Sequence, residues 1–191
     1  MRKIKGFTMI ELLIVIAVLG ILAVAVLSAI NPIEQINRSK DTGTRSDAEQ
    51  LIGAIDRFYT ANGYYPWQTG PTDTSHAATG WGPVDATWED ADKVTVLSKL
   101  SNTTEGTAEL KESFVNRITG SGYNTLYRYN RGQQGDSTYI CFSPKSANFR
   151  KEANDRAGTN CGGLPADLRE AGCDNLCPTI GGATVCYSCL P

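Results

Sequence analysis

The sequence predicts an α+β protein: a long N-terminal helix, apolar in its first half, packed by its second half on a small antiparallel β-sheet head with an irregular, disulfide-rich C-terminal tail. Three observations support this prediction. Residues 12–30 carry no charge. An amphipathic helical pattern follows from residue 48. The rest of the chain contains a hairpin pattern and six cysteines, five of them in the last 31 residues.

The apolar run has the length of a membrane span. As a helix, residues 12–30 would measure about 28 Å, close to the thickness of a bilayer's hydrocarbon core. Arg2, Lys3 and Lys5 precede the run. An excess of basic residues holds its side of a span in the cytoplasm, so the remaining chain should lie outside. Glu11 stands at the edge of the run, and a carboxylate in hydrocarbon usually has a partner.

The stretch G-F-T-M-I-E at residues 6–11, followed by the apolar run, resembles the type III signal of type IV pilins and type II secretion pseudopilins. The resemblance implies that prepilin peptidase cuts between Gly6 and Phe7 and methylates the new amine of Phe7. It also implies that Glu11, four residues beyond the new N-terminus, acts in filament assembly.

Two simpler interpretations explain only part of this segment. A cleaved secretory signal also has a basic start and an apolar region, and Ala23 to Ala25 offer an A-x-A site. Its apolar region is normally shorter, however, and does not open with a glutamate. A plain single-span anchor explains the apolar run and the basic flank but leaves Gly6, Phe7 and Glu11 unexplained.

A single helical pattern extends well beyond the apolar run. We expect a helix from about residue 8 to residue 61, kinked or restarted at Pro32, because proline lacks an N–H and clashes with the preceding turn. Asn62 and Gly63 should end it as a left-handed cap. One face is apolar and carries Ala48, Leu51, Ile52, Ile55, Phe58 and Tyr59. The other face is polar and carries Asp47, Glu49, Gln50, Asp56 and Arg57.

These patterns divide the chain into four expected segments. They are a cleaved leader (1–6), a transmembrane or filament-core helix (7–30), its amphipathic continuation (31–62), and a globular head with a cysteine-rich tail (63–191). The pilin resemblance extends through the N-G-Y-Y-P turn at residues 62–66. It implies the ladle shape of that family, a long helix joined to a compact head.

The connection over residues 64–92 is long and contains Trp67, Trp81 and Trp88. We expect the three indoles to pack inside the head, with exposed aromatics for ligand binding as the alternative. Some pilins bind calcium in an acidic loop of the head. The candidates here, by composition alone, are Asp85, Glu89, Asp90 and Asp92. A solvated acidic turn is the interpretation that we favour.

The head pattern continues with short helices at 93–100 and 108–118 and a hairpin with strands at 123–131 and 138–143. Side chains alternate along a strand, so Ile140 and Phe142 should share the face that packs on the long helix. Cys141 should point the other way. Tyr127 and Tyr129 could form an aromatic-basic surface with Arg128, but alternating aromatics in a strand usually pack.

Outside the cytoplasm, disulfides are the expected state of the cysteines. The candidates are Cys141, Cys161, Cys173, Cys177, Cys186 and Cys189. Six cysteines allow about 15 pairings, and the sequence does not choose among them. Because Cys141 faces away from the helix, we expect it to be linked to the tail. The alternative is a zinc site of four thiolates from Cys173 to Cys189.

The composition points away from an enzyme and from a general nucleic-acid binder. No nucleophile elbow or phosphate-binding loop is present, and the single histidine, His76, leaves little room for a catalytic pair. The net charge is −2, and loss of the three basic leader residues would bring it to −5. We therefore expect no catalytic residue, no metal and no cofactor.

The resemblance implies a structural subunit of a type IV pilus or a type II secretion pseudopilus-like filament. Such a subunit waits as a single-pass membrane protein with its head outside. It then joins an extracellular or periplasmic filament by helix packing. The implied partners are further copies of the chain, prepilin peptidase and the inner-membrane assembly platform. The alternatives are a minor subunit or tip adhesin that binds a surface or DNA, and an anchored domain that never polymerises.

Overall fold

The computed structural model describes residues 6–29, 31–101, 107–133 and 135–191. The basic leader residues Arg2, Lys3 and Lys5 lie outside this part of the chain. The protein forms two compact units, one ending at Ile36 and one from Asn37 to Pro191.

The first helix, α1, spans Met9–Ala29. Its Leu, Ile, Val and Ala side chains form no single apolar stripe but cover it all round, as expected for a helix surrounded by lipid or protein. In this structure its side chains from Met9 to Ser28 are all exposed. By length and composition, Met9–Ser28 could cross a membrane. A helix that is apolar all round requires an apolar environment.

The second helix, α2, spans Pro32–Asn62, which confirms the expected restart at the proline. The side chain of Asn31 accepts the N–H of Glu34 at 3.3 Å, so an asparagine cap precedes a proline at the first helical position. At the other end Gly63 adopts a φ of 77° and donates its N–H to the Tyr59 carbonyl at 2.7 Å. This is the left-handed cap that the sequence predicted.

The head combines short helices with two sheets. Its further elements are β1 (Thr79–Pro83), α3 (Val96–Ser101), α4 (Glu112–Ile118), β2 (Leu126–Asn130), β3 (Tyr139–Phe142), α5 (Ala147–Ala157), a 3-10 turn (Thr159–Cys161), α6 (Ala166–Arg169), α7 (Cys173–Leu176), β4 (Thr179–Ile180), β5 (Ala183–Thr184) and β6 (Ser188–Leu190). The main sheet has the order β1-β2-β3-β6 and is antiparallel throughout. The β2–β3 hairpin confirms the sequence pattern.

One face of this sheet forms the main core with α2. Leu51 and Ile55 of the helix, Ile140 and Phe142 of β3, and Leu190 of β6 belong to one buried cluster. The expected inward direction of Ile140 and Phe142 is therefore confirmed.

The tail covers the opposite face of the sheet. Tyr129, Tyr139 and Cys141 project from β2 and β3 into a second buried cluster with Leu168 and Leu176 of the tail. The two clusters lie on opposite faces because neighbouring residues of a strand point in opposite directions.

The tail holds more regular structure than its sequence indicated. Helix α5 begins after Ser146, whose side chain accepts the N–H of Phe149, and ends at Gly158 with a φ of 64°. Its buried positions are only Ala153 and Ala157. Two alanines give too weak an apolar periodicity to indicate a helix, so α5 was not predicted from the sequence.

Two carboxylates of α2 are buried, and for one of them, Asp47, the predicted position on the polar face was wrong. Asp47, placed on the polar face, is buried and accepts the Arg117 guanidinium and the Tyr123 hydroxyl, each at 2.7 Å. Burial and this hydrogen bond raise the pKa of Tyr123. Asp41, which is 0% exposed, accepts the backbone N–H groups of Lys145 at 2.9 Å and Ser146 at 2.7 Å. It ties α2 to the start of α5.

Candidate functional site

The residues singled out by the N-terminal pattern lie at the start of α1. Thr8 donates its backbone N–H to Oε2 of Glu11 at 2.8 Å and its hydroxyl to the same oxygen at 2.7 Å. Glu11 donates its backbone N–H to the Thr8 hydroxyl oxygen at 3.3 Å. This reciprocal pair is a capping box, which satisfies free N–H groups at a helix start. This cap was not predicted, although the T-x-x-E spacing at residues 8–11 is its sequence signature.

The two residues before this cap are open to solvent. Phe7 is 86% exposed. A side chain built at Gly6 would meet no heavy atom within 4 Å. Within the described part of the chain, nothing covers the peptide bond that joins Gly6 to Phe7, so an enzyme could reach it.

Glu11 carries the one charge of α1. Its partners in the structure are the neutral donors of Thr8, and no cation of the described residues forms an ion pair with it. An apolar environment around α1 would therefore enclose an uncompensated carboxylate unless another group supplied a positive charge.

The cysteines of the head form three disulfides: Cys141–Cys189, Cys161–Cys173 and Cys177–Cys186. The first links β3 to β6, which confirms that Cys141 is joined to the tail. The sulfurs of Cys161, Cys173 and Cys177 lie within 4.8 Å of one another, but each already belongs to a disulfide. The alternative of a zinc site at Cys173, Cys177, Cys186 and Cys189 would need four free thiolates, but all four of these cysteines are in disulfides, so the pairing does not support it.

The acidic loop is organised by an internal ion pair. Asp90 is buried and lies 2.5 Å from Nζ of Lys99. It also accepts the N–H groups of Asp92 and Val94, each at 2.9 Å. Burial alone would raise the pKa of Asp90, but Lys99 and the two N–H groups outweigh it and lower the pKa. The solvated-turn interpretation is therefore wrong for Asp90, whose carboxylate is occupied by protein donors.

The tryptophans of the long connection pack, as expected. Trp67 and Trp88 belong to the main core. Trp81 is half-buried, and its ring lies 5.4 Å from Tyr127 on the outer face of the sheet. Arg128 points to the inner face, 4.9 Å from the Trp88 ring, and burial lowers its pKa to about 10. The strand does not present an aromatic-basic surface.

The structure thus defines a class of protein: one exposed apolar helix with a capped, accessible N-terminus, and an α+β head held by three disulfides. Comparison with known proteins adds one specific match. Residues 1–27 match the family model of the prokaryotic N-terminal methylation motif. No curated protein matches the chain, and no solved structure matches it.

The chain therefore carries the N-terminal methylation motif, which supports a type IV pilin-like or pseudopilin protein. The motif implies processing by prepilin peptidase, membrane association and filament assembly. Together with α1, it supports membrane anchoring before assembly. The match ends before α2, so the head takes no functional assignment from it.

Proposed function

We propose that the protein is a structural subunit of a type IV pilus or type II secretion pseudopilus-like filament, drawn from a membrane pool by packing of its N-terminal helix. The observation that carries this proposal is the methylation motif joined to a helix whose side chains are exposed from Met9 to Ser28. Lipid would cover this helix before assembly, and α1 of neighbouring copies would cover it in the filament.

Processing is the first step of the proposed pathway. Cleavage between Gly6 and Phe7 would remove the leader and leave a cationic, methylated amine on Phe7. The exposure of both residues favours access by prepilin peptidase. The intact mass of the membrane form tests this step, and the expected mass is that of a methylated chain starting at Phe7. A chain starting near Val26 would instead show an ordinary secretory signal.

Glu11 would then receive its missing partner. In a staggered bundle of helices, the Glu11 carboxylate of one subunit would lie beside the Phe7 amine of its neighbour. In a medium of low dielectric constant each charge is costly alone, and the pair compensates both. The Thr8 hydroxyl, which holds the carboxylate in the isolated chain, is a neutral donor that the amine can replace.

The capping box makes a sharp test of this pairing possible. Glutamine at position 11 can keep the capping hydrogen bond but removes the charge, whereas Thr8→Ala weakens the cap and keeps the charge. The proposal predicts scarce filaments and a retained membrane pool for Glu11→Gln and Glu11→Leu. It predicts near-normal filaments for Thr8→Ala. Sheared filaments, counted by electron microscopy and identified by mass spectrometry, give the yields.

Two outcomes would contradict the pairing. A wild-type yield from Glu11→Gln would show that the charge is dispensable. A loss confined to Thr8→Ala and Glu11→Leu would assign the effect to the helix cap. In every variant, the intact mass must first show normal cleavage after Gly6, so that a processing defect is not mistaken for an assembly defect.

The binding alternative, a tip adhesin, draws less support from the head. Trp67 and Trp88, two of the three tryptophans that it invoked, are 3% and 1% exposed. Abundance separates the two functions, because a structural subunit makes up most of a purified filament and a tip protein a small fraction.

A further inference from the structure

An open hollow of about 240 Å³ lies between α2 and the loops around residues 122 and 145. Side chains that line it include Lys40, Thr44, Asp47, Arg117, Tyr123 and Lys145. Three of these are cations, brought together from widely separated parts of the chain. All belong to the compact unit from Asn37 to Pro191.

The acidic groups near the hollow are already occupied. Asp47 accepts Arg117 and Tyr123. Both oxygens of Asp41 accept backbone N–H groups at the start of α5. Among the described residues, neither Lys40 nor Lys145 forms an ion pair with a carboxylate. The two lysines therefore leave an uncompensated positive charge at the rim.

The hollow also has apolar surface. The ring of Tyr123 and the open backbone at Gly43, where a Cβ would meet no atom within 4 Å, line it beside the lysine stems. A ligand with one compact anionic group and a short, uncharged skeleton matches this combination. A phosphate diester on glycerol has these properties.

We propose that the hollow binds the phosphate of an anionic phospholipid headgroup in the membrane that holds α1. Lys40 and Lys145 would contact the phosphate oxygens, and Tyr123 would cover the glycerol. From Pro32, Lys40 is reached after about 12 Å of helix. A headgroup layer adds about 6 Å beyond the hydrocarbon on each side, so the Lys40 backbone lies at most about 6 Å of helix rise beyond its outer edge, a distance that an extended lysine side chain spans. The proposal rests on membrane anchoring and not on the filament.

Site-resolved lysine labelling of the processed full chain tests this binding without filaments. The chain is inserted in nanodiscs of phosphatidylcholine alone, or with an equal part of phosphatidylglycerol. Acetylation rates are then measured by peptide mass spectrometry. The proposal predicts that anionic lipid slows labelling of Lys40 and Lys145 roughly fivefold, the factor expected for a basic residue at an anionic surface. High salt should restore the rate.

Lys93, which is exposed on another loop, is the matched control and should label at the same rate in both lipids. Equal labelling of Lys40 and Lys145 in both lipids would overturn the proposal. An equal slowing by inorganic phosphate in phosphatidylcholine nanodiscs would also overturn it, because the site would then take a free anion. Failure to insert would count against membrane anchoring instead, so the two failures are distinguishable.

Variants give an independent measurement. Anionic lipid should protect the backbone around residues 117–124 of the nanodisc-bound chain from hydrogen exchange. The double variant Lys40→Gln, Lys145→Gln should lose at least half of this extra protection. Lys93→Gln should keep it. The fold should tolerate both changes, because Lys145 holds Asp41 through its backbone N–H and not its side chain. Unchanged protection in the double variant would refute the assignment.

Discussion

Replacing Asp41 by alanine should destabilise the head more than any exposed substitution on α2. The carboxylate is fully buried and accepts the N–H groups of Lys145 and Ser146. Alanine would leave both groups without an acceptor, at about 1–3 kcal/mol each. The expected loss in the free energy of unfolding is therefore roughly 2–6 kcal/mol. For a chain of this length, each kcal/mol lowers the melting temperature by about 2–4 °C.

Thermal unfolding of the detergent-solubilised full chain, followed by tryptophan fluorescence, measures this loss. Trp67 and Trp88 are buried in the core and report on its opening. Glu49→Ala is the matched control on the same helix, because the pair that Glu49 forms with Arg45, at 3.5 Å, is exposed. Such a pair contributes about 0.5 kcal/mol or less. Equal melting temperatures for the two variants would refute the role assigned to Asp41.

Three further predictions concern the head. Gly132→Ala should lower the melting temperature by several degrees, because a Cβ would overlap the backbone of Ala78 and the φ is 84°. Asp90→Asn should weaken the fall in melting temperature at acidic pH. The lowered pKa of Asp90 gives the wild type stability that is present above about pH 4 and is lost as the pH falls through the folded-state pKa. The asparagine variant has no carboxylate to protonate. Replacing Cys141 and Cys189 together by serine should destabilise the head by about 2–5 kcal/mol in urea unfolding and leave the circular dichroism of α1 unchanged.

Matched variants define what would contradict each prediction. Gly70→Ala is the control for Gly132→Ala, because a Cβ at Gly70 would meet no atom within 4 Å, and it should keep the wild-type melting temperature. A wild-type melting temperature for Gly132→Ala as well would show that the overlap is relieved and would refute the prediction. Glu89→Gln on the same loop should show the same fall in melting temperature at acidic pH as the wild type. The same fall in Asp90→Asn would contradict the role of the Asp90–Lys99 ion pair. Serines at Cys177 and Cys186 open a separation of 9 residues rather than 48. This double replacement should lower the free energy of unfolding by less than the replacement of Cys141 and Cys189. A larger loss would contradict the dependence of disulfide stabilisation on loop length.

The parts of the fold that the sequence predicted are those in which local pattern and burial agree. The alternation at Ile140, Cys141 and Phe142 predicted which side chain faces which layer. Strand β1 was missed because T-G-W-G-P has weak strand propensity, and its pairing depends on β2, whose sequence lies far from it. The burial of Asp47 could not be predicted, because its partners lie 70 and 76 residues away.

The candidate sites divide in the same way. The N-terminal methylation motif at residues 1–27 is a contiguous pattern and could be recognised directly. The capping role of Glu11 is also local, since its partner is three residues away, and the T-x-x-E spacing could have predicted it. The cationic hollow could not be predicted, because Lys40 and Lys145 meet only through the fold.

The two faces of the main sheet have a consequence for how this protein can diversify. Every second residue of β3 faces α2, and the residues between them face the cross-linked tail. The tail loops between Cys161 and Cys173 and between Cys177 and Cys186 can change without disturbing the side chains that pack on the helix, because each loop is closed by its own disulfide. Changes at the exterior of the tail should therefore leave the helix-facing layer unaltered. Inserted epitopes should be tolerated in that outer layer first.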